Sequence, residues 1–188
     1  MFDTPQPARP GTLYIVATPI GNLRDMTQHA LDVLRTVDLI AAEDTRNSQG
    51  LLNAYGIQSR LIALHEHNEA AGAEHLVAEL RACKSVAYVS DAGTPGISDP
   101  GAKLVAAVRT AGLPIVPIPG ASAVTTALSV AGLEGPWQFV GFLPAKPGPR
   151  RKLLETFRAL PCALVFYEAP HRIEECVADL AATLGGAR

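Results

Sequence analysis

Cysteine is scarce in this chain: Cys83, Cys162 and Cys176 are the only three in 188 residues, and no two form a CxxC pair. So small, odd and widely spaced a set argues against a disulfide framework or a cysteine zinc site, and fits free thiols in a reducing cytoplasm. No His/Cys/carboxylate group has metal-ligand spacing, so no metal is expected. Long apolar runs are missing too; none approaches the ~20 residues that span a bilayer. The segment 1–11 carries three prolines and no apolar run, so it reads as neither a signal peptide nor an anchor. Charge of one sign is also lacking. Sixteen Lys and Arg against eighteen Asp and Glu leave a net charge of −2, so any nucleic-acid contact must come from a local patch. The dinucleotide fingerprint G-x-G-x-x-G is absent.

What remains is a core-forming chain, with 48% hydrophobic and 18% charged residues. Its 16 glycines and 15 prolines fall mostly at the ends of apolar runs, where they act as loop punctuation. The rhythm is strand, turn, helix. Strands are expected over 13–17, 39–42, 61–64, 85–89 and 115–118. The intervening helices are expected over 27–37, 47–55, 69–83 and 99–111, with Asp99 as N-cap and Pro100 in the first turn of the last. Another runs from Pro119-Gly120 to about 131. This alternation implies βαβ units and a parallel sheet covered on both faces. Beyond 132–137 the rhythm changes: strand 139–142, a basic Pro-rich loop, helix 151–160, strand 163–167 and helix 172–184. The expected organisation is a flexible N-terminus (1–10), an α/β domain (11–122) and the first part of a second α/β domain (123–188). That second piece is short enough to suggest truncation.

In an open parallel sheet, ligands bind at the carboxyl ends of the strands, and four loops fall there. The first, Thr18-Pro19-Ile20-Gly21-Asn22-Leu23, reads equally as an ordinary turn or a ligand loop. The second, Ala42-Glu43-Asp44-Thr45-Arg46, is either a helix cap with Arg46 paired to Glu43, or a polar cluster on a cleft floor. The third, from Ser90 to Gly101, packs three glycines and two prolines into a dozen residues, long for a plain βα connection. Its small residues permit close backbone approach to a ligand, and Asp91 is placed to accept hydrogen bonds from ribose hydroxyls. In the fourth, Ile118-Pro119-Gly120-Ala121-Ser122-Ala123, a helix start offers amides to an anion, unless Ser122 merely caps the helix. Later, Tyr167-Glu168-Ala169-Pro170-His171-Arg172 ends a strand in polar side chains. Lys146, Arg150, Arg151 and Lys152 supply four cations without an acid, either as a solvated loop or as a phosphate contact.

The strings TPIGNLRDMT, AAEDTR, SDAGTPGISDPG, IPGASA and FYEAPHR, in this order and covering about residues 11–184, resemble the small-subunit ribosomal RNA methyltransferases of the tetrapyrrole-methylase superfamily. The long SDAGTPGISDPG string is the specific one. The resemblance implies two α/β domains holding S-adenosylmethionine in the cleft between them, usually in a homodimer. It also implies 2′-O-methylation of a cytidine in the decoding region of 16S ribosomal RNA. On matching positions, Pro19, Gly21 and Asn22 with Asp91, Ala92, Gly93 and Thr94 would line the cofactor. Ser122, Ala123, Phe166 and Tyr167 would complete its pocket. A ribose hydroxyl is a weak nucleophile, so a base is needed. Glu43 or Asp44 is expected to supply it, with Glu168 and His171 as rivals and Arg46 as a bidentate phosphate holder. Methylation of a small macrocycle and a non-enzymatic cofactor- or RNA-binding module remain the alternatives.

Overall fold

The structure is a computed structural model that describes residues 7–65 and 68–186. Residues 1–6 of the expected flexible N-terminus lie outside the described residues, as do Ala187 and Arg188 at the end of the expected second domain. Of the remaining N-terminal stretch, the Ala8 amide donates to Thr36 Oγ1 (3.0 Å) and the Arg9 amide to the Tyr14 hydroxyl (2.8 Å).

The chain divides into two compact units, residues 1–126 and 127–188. In unit 1 the strands are β1 (Leu13–Val16), β2 (Leu39–Ala42), β3 (Leu61–Ala63), β4 (Val86–Val89) and β5 (Ile115–Ile118). They form one all-parallel sheet in the order β3-β2-β4-β1-β5. Helices α1 (Gln28–Thr36), α2 (Thr45–Ala54), α3 (Glu69–Arg81) and α4 (Ala102–Thr110) connect them, and α5 (Ala123–Val130) follows β5. Right-handed crossovers put α1 and α2, which carry the chain one way along the sheet, on the opposite face from α3 and α4, which carry it back. The core divides accordingly. Leu31, Leu34 and Leu52 pack with Tyr14, Val16 and Ile40. Leu76, Leu80, Leu104 and Val108 pack with Leu13, Leu39 and Tyr88. Strands β2 and β4 are buried at every residue, as a sheet covered twice requires.

One consequence positions the site. β4 lies between β2 and β1, and its following helix is on the opposite face from theirs. The carboxyl end of β4 therefore faces a topological switch on both sides, the place where open α/β sheets bind ligands.

Several helix boundaries differ from expectation. α4 begins at Ala102, not at Asp99-Pro100. Its N-cap is Gly101, with φ 129°, and the cap comes from a distant residue: Glu69 Oε1 accepts from the Gly101 amide (2.8 Å) and the Lys103 amide (2.9 Å). Only glycine suits position 101, because a Cβ there would lie 2.7 Å from Tyr88 Cε1. α2 begins two residues early, at Thr45, because Asp44 caps it, accepting from the Arg46 amide at 2.8 Å.

Unit 2 pairs two parallel strands, β6 (Trp137–Phe142) and β7 (Ala163–Tyr167), with a register shift between Phe139 and Gly141. Helices α6 (Pro147–Thr156) and α7 (Ile173–Leu184) bury Leu154, Phe157 and Cys176 with Leu143. The expected helix at 151–160 starts instead at Pro147, a favoured first-turn residue, so the basic stretch is helical. Among the described residues no helix is long and apolar enough to cross a membrane.

Candidate functional site

The loop after β4 is stitched to both neighbours. Toward β1, Thr18 and Gly93 exchange backbone hydrogen bonds (2.9 and 3.0 Å), and the buried Thr18 Oγ1 donates to the Ser90 carbonyl (3.1 Å). Gly93 takes φ 83° there, which a side chain would resist. Toward β5, Thr94 Oγ1 donates to the Ala121 carbonyl at 3.0 Å. Toward β2, both Asp91 carboxylate oxygens accept: Oδ1 from the Asp44 amide (3.3 Å) and Oδ2 from Asn47 Nδ2 (2.8 Å). Each oxygen keeps a further lone pair for a ligand. The structure thus brings Asp44, Arg46, Asp91, Gly93 and Thr94 into one connected rim, with Pro19 buried beside it and Gly21, Asn22 and Ala92 exposed. Ser122 and Ala123 are half-buried at the start of α5, where the Ser122 carbonyl accepts from the Thr126 amide (3.0 Å).

Four acids crowd the β2 and β4 ends: Glu43, Asp44, Asp91 and Asp99. Burial pushes the Glu43 carboxyl up, and Asp99, Asp91 and Asp44 add repulsion. Asp99 is also raised, by burial first and then by Asp91. Asp44 goes the other way. Hydrogen bonds from the Arg46 side chain and amide hold it down to about 2. Two neighbouring carboxyls thus sit in opposite environments.

Arg46 pairs with Asp44, not Glu43: Nε meets Oδ1 at 3.2 Å and Nη2 meets Oδ2 at 2.9 Å. The fork expected to grip a phosphate is thereby turned onto a carboxylate. Behind the rim, the Tyr88 hydroxyl is fully buried without a hydrogen-bond partner among the described residues, and burial pushes its ionisation well up. Between the turn after β1 and α2 lies a pocket of about 300 Å³ whose polar end is Asn47, Ser48 and Asp91.

The remaining expected residues belong to unit 2. Glu168 forms an ion pair with Arg172 Nη2 at 2.5 Å, and its amide neighbour Ala169 donates to it at 2.8 Å. Burial pushes Glu168 up, but the Ala169 amide, the Cys176 thiol and Arg172 outweigh it, so the carboxyl lies below its ordinary value. A paired, depressed carboxylate is a poor base. His171 is exposed in the short turn after β7. Phe166 and Tyr167 are half-buried on β7, where Tyr167 stacks edge-on against Phe139 (4.8 Å) and Phe142 (5.5 Å).

The basic cluster needs a correction. Arg150 is completely buried, with Nε 2.7 Å from Asp179 Oδ2 and Nη2 2.9 Å from Glu175 Oε1. It holds α6 to α7 and cannot reach a phosphate. Arg151 pairs with the other Asp179 oxygen at 2.6 Å, while Lys146 and Lys152 are exposed. Among the described residues no group of three or more His, Cys, Asp or Glu is disposed to hold a metal ion.

A parallel α/β unit whose small-residue loops meet at an acidic rim on a switch point has the layout that open α/β sheets use for ligand sites. The chain belongs to the family described as Tetrapyrrole (Corrin/Porphyrin) Methylases, which it matches over residues 12–188. It is 54% identical over 180 residues to the Ribosomal RNA small subunit methyltransferase I of Xylella fastidiosa (strain Temecula1 / ATCC 700964), covering 95% of this chain and 66% of that protein. The protein of the same name from Escherichia coli O157:H7 is 54% identical over 179 residues, covering 95% of this chain and 63% of the relative. The chain therefore spans somewhat less than two thirds of these relatives. Among solved structures, the native uroporphyrin III C-methyl transferase from Thermus thermophilus aligns with a TM-score of 0.66 at 19% identity, covering 93% of this chain and 77% of that one. A diphthine synthase aligns at 0.66 and 18% identity, covering 92% and 71%. At such identities the likeness is one of fold.

Proposed function

We propose that the protein transfers a methyl group from S-adenosylmethionine to the 2′-hydroxyl of a cytidine in small-subunit ribosomal RNA. Relatives that are more than half identical over nearly the whole chain bear the name of a ribosomal RNA small subunit methyltransferase, and such an enzyme would act in the cytoplasm. The observation that carries the chemistry is the divergence of Glu43 and Asp44 at the switch point.

The rim fits the donor. Gly93 takes φ 83°, a conformation that favours glycine, and with Thr94 it contributes backbone to the rim. The surrounding carboxylates suit a ligand bearing a sulfonium and an ammonium. In unit 1, Pro19, Gly21 and Asn22, Asp91 to Thr94, and Ser122 with Ala123 are the residues that would hold it. Bound there, the donor supplies an electrophilic methyl, and positioning of the acceptor against it accounts for much of the rate.

Glu43 is the base in this reading. A general base works best with a proton affinity near the operating pH, and its contribution is about 10²- to 10⁴-fold. Glu43 is shifted in that direction, whereas Asp44, at about 2, holds protons too weakly and is committed to Arg46. Asp44 is a positioning residue: it caps α2 and fixes the corner that carries Glu43. Lys146 and Lys152 are the proposed backbone contacts for RNA, giving salt-dependent binding.

The test is turnover of Glu43→Gln and Asp44→Asn, each with donor affinity measured alongside. Glu43→Gln should lower kcat by about 10²-fold or more with donor affinity preserved. Full turnover in Glu43→Gln would remove Glu43 from the mechanism.

A further inference from the structure

The pocket between the turn after β1 and α2 borders the proposed donor site through Pro19, Gly21 and Asp91, but its α2 wall, from Asn47 to Ala54, has no part in holding the donor or supplying the base. We infer that it receives the base of the target nucleotide, an assignment that rests on the ribosomal RNA reading.

Its volume of about 300 Å³ sits at the small end of ligand pockets, enough for one nucleoside and too little for a folded RNA segment. The walls are apolar or bare: Pro19 and Leu23 on one side, Gly50 and Leu51 on the other. They suit the two faces of a flat ring. Polar groups gather at one end, where Asn47 offers an amide and Asp91 a carboxylate. An acceptor-only carboxylate beside an amide matches an exocyclic amine next to a ring-nitrogen acceptor, an edge that cytosine presents and adenine shares. The pocket is tied together at both ends: the Tyr55 hydroxyl donates to the Leu23 carbonyl, and Asn47 Nδ2 donates to Asp91 at 2.8 Å. It needs little ordering on binding.

Phosphate is unsuited to the interior, because Asp91 lines it and Glu43, Asp44 and Asp99 lie close by. Cations sit outside instead. Arg24 and Arg46, each one residue from a lining residue, are exposed. A nucleotide turned out of its stack could place its base inside, its phosphates toward Arg24, since the Arg46 fork is held by Asp44, and its sugar beside Glu43, four residues before Asn47 at the same corner.

The rival occupant with the same chemistry is the adenosine half of the donor, and Gly50 separates the two. A Cβ at Gly50 meets nothing within 4 Å, and leucine favours a helix more than glycine does, so Gly50→Leu introduces bulk into the pocket from an open position on α2, with the folded state checked by the amide spectrum. Binding of cytidine 5′-monophosphate and of S-adenosylhomocysteine to both proteins, followed by amide NMR shifts, decides the matter. The nucleotide should shift the α2 amides, and Gly50→Leu should weaken it at least about tenfold while leaving S-adenosylhomocysteine unchanged. Loss of S-adenosylhomocysteine binding with the nucleotide unaffected would give the pocket to the donor and overturn the inference. So would failure of the unmodified protein to bind the nucleotide, or equal binding of both probes by the two proteins. If the unmodified protein binds the nucleotide at α2 but not S-adenosylhomocysteine, the methyltransferase reading fails and the nucleoside pocket stands.

Discussion

Glu43 and Asp44 are adjacent in sequence, yet one carboxyl is pushed up by burial and three acids while the other is held at about 2 by Arg46. The sequence places both in the string AAEDTR but cannot say which one Arg46 chooses. That depends on α2 starting at Thr45, which turns Arg46 back onto its own cap. The difference has a pH signature. A base must be deprotonated to act, so turnover should rise with pH through a value above the ordinary glutamate range, and Glu43→Gln should abolish that limb. A rise at the ordinary aspartate value would point to a different group. The same limit applies to Arg150. Its place among Lys146, Arg151 and Lys152 suggested a phosphate contact, because charge along a sequence says nothing about an acid 29 residues away.

At the scale of elements, the strand and helix order of unit 1 was legible because fully apolar strands alternate with amphipathic helices such as α1, where Ala30, Leu31, Val33 and Leu34 are buried. Helix starts were less so wherever the cap is not local. Asp99-Pro100 has the composition of a helix start, but the cap of α4 comes from Glu69 on α3, and no local pattern encodes that. Glu69→Ala should therefore leave the amides of Gly101 and Lys103 unsatisfied and lower stability by about 1–3 kcal/mol, as thermal denaturation would show. Faster hydrogen exchange at the start of α4 than in α1 would localise the effect. A variant as stable as the parent would mean that Glu69 contributes nothing to the cap. The loop hydrogen bonds that join Thr18 to Gly93 and Asp91 to Asn47 were also beyond sequence reasoning. What could be read was that loops of glycine and acid end neighbouring strands.

At the scale of the whole molecule, the two units carry different kinds of stability. Unit 1 has two apolar cores on a five-stranded sheet. Unit 2 has one small cluster and relies on the buried Arg150–Asp179 pair. The Arg151 and Arg150 side chains hold the Asp179 carboxyl below its ordinary value despite burial. A depressed carboxylate contributes stability above its unfolded value that is lost as pH falls through the folded one. Unit 2 should accordingly lose packing in acid, below the ordinary aspartate value of 3.8. Trp137, the single tryptophan, lies in β6 and reports on this unit by fluorescence. Arg150→Met, which leaves Asp179 with Arg151 alone, should cost about 3 kcal/mol by the same probe. An unchanged transition would show that the pair is not what holds α6 to α7.

Methyl transfer to ribosomal RNA is tested by recovery of label from S-adenosylmethionine in small ribosomal subunits that lack the modification. It would be run on this chain and on the chain joined to the C-terminal third of one of its longer relatives, with the RNA digested to nucleosides. Label should appear in 2′-O-methylcytidine, reduced about 10²-fold or more by Glu43→Gln. Label on a tetrapyrrole but none in RNA, with either protein, would contradict it.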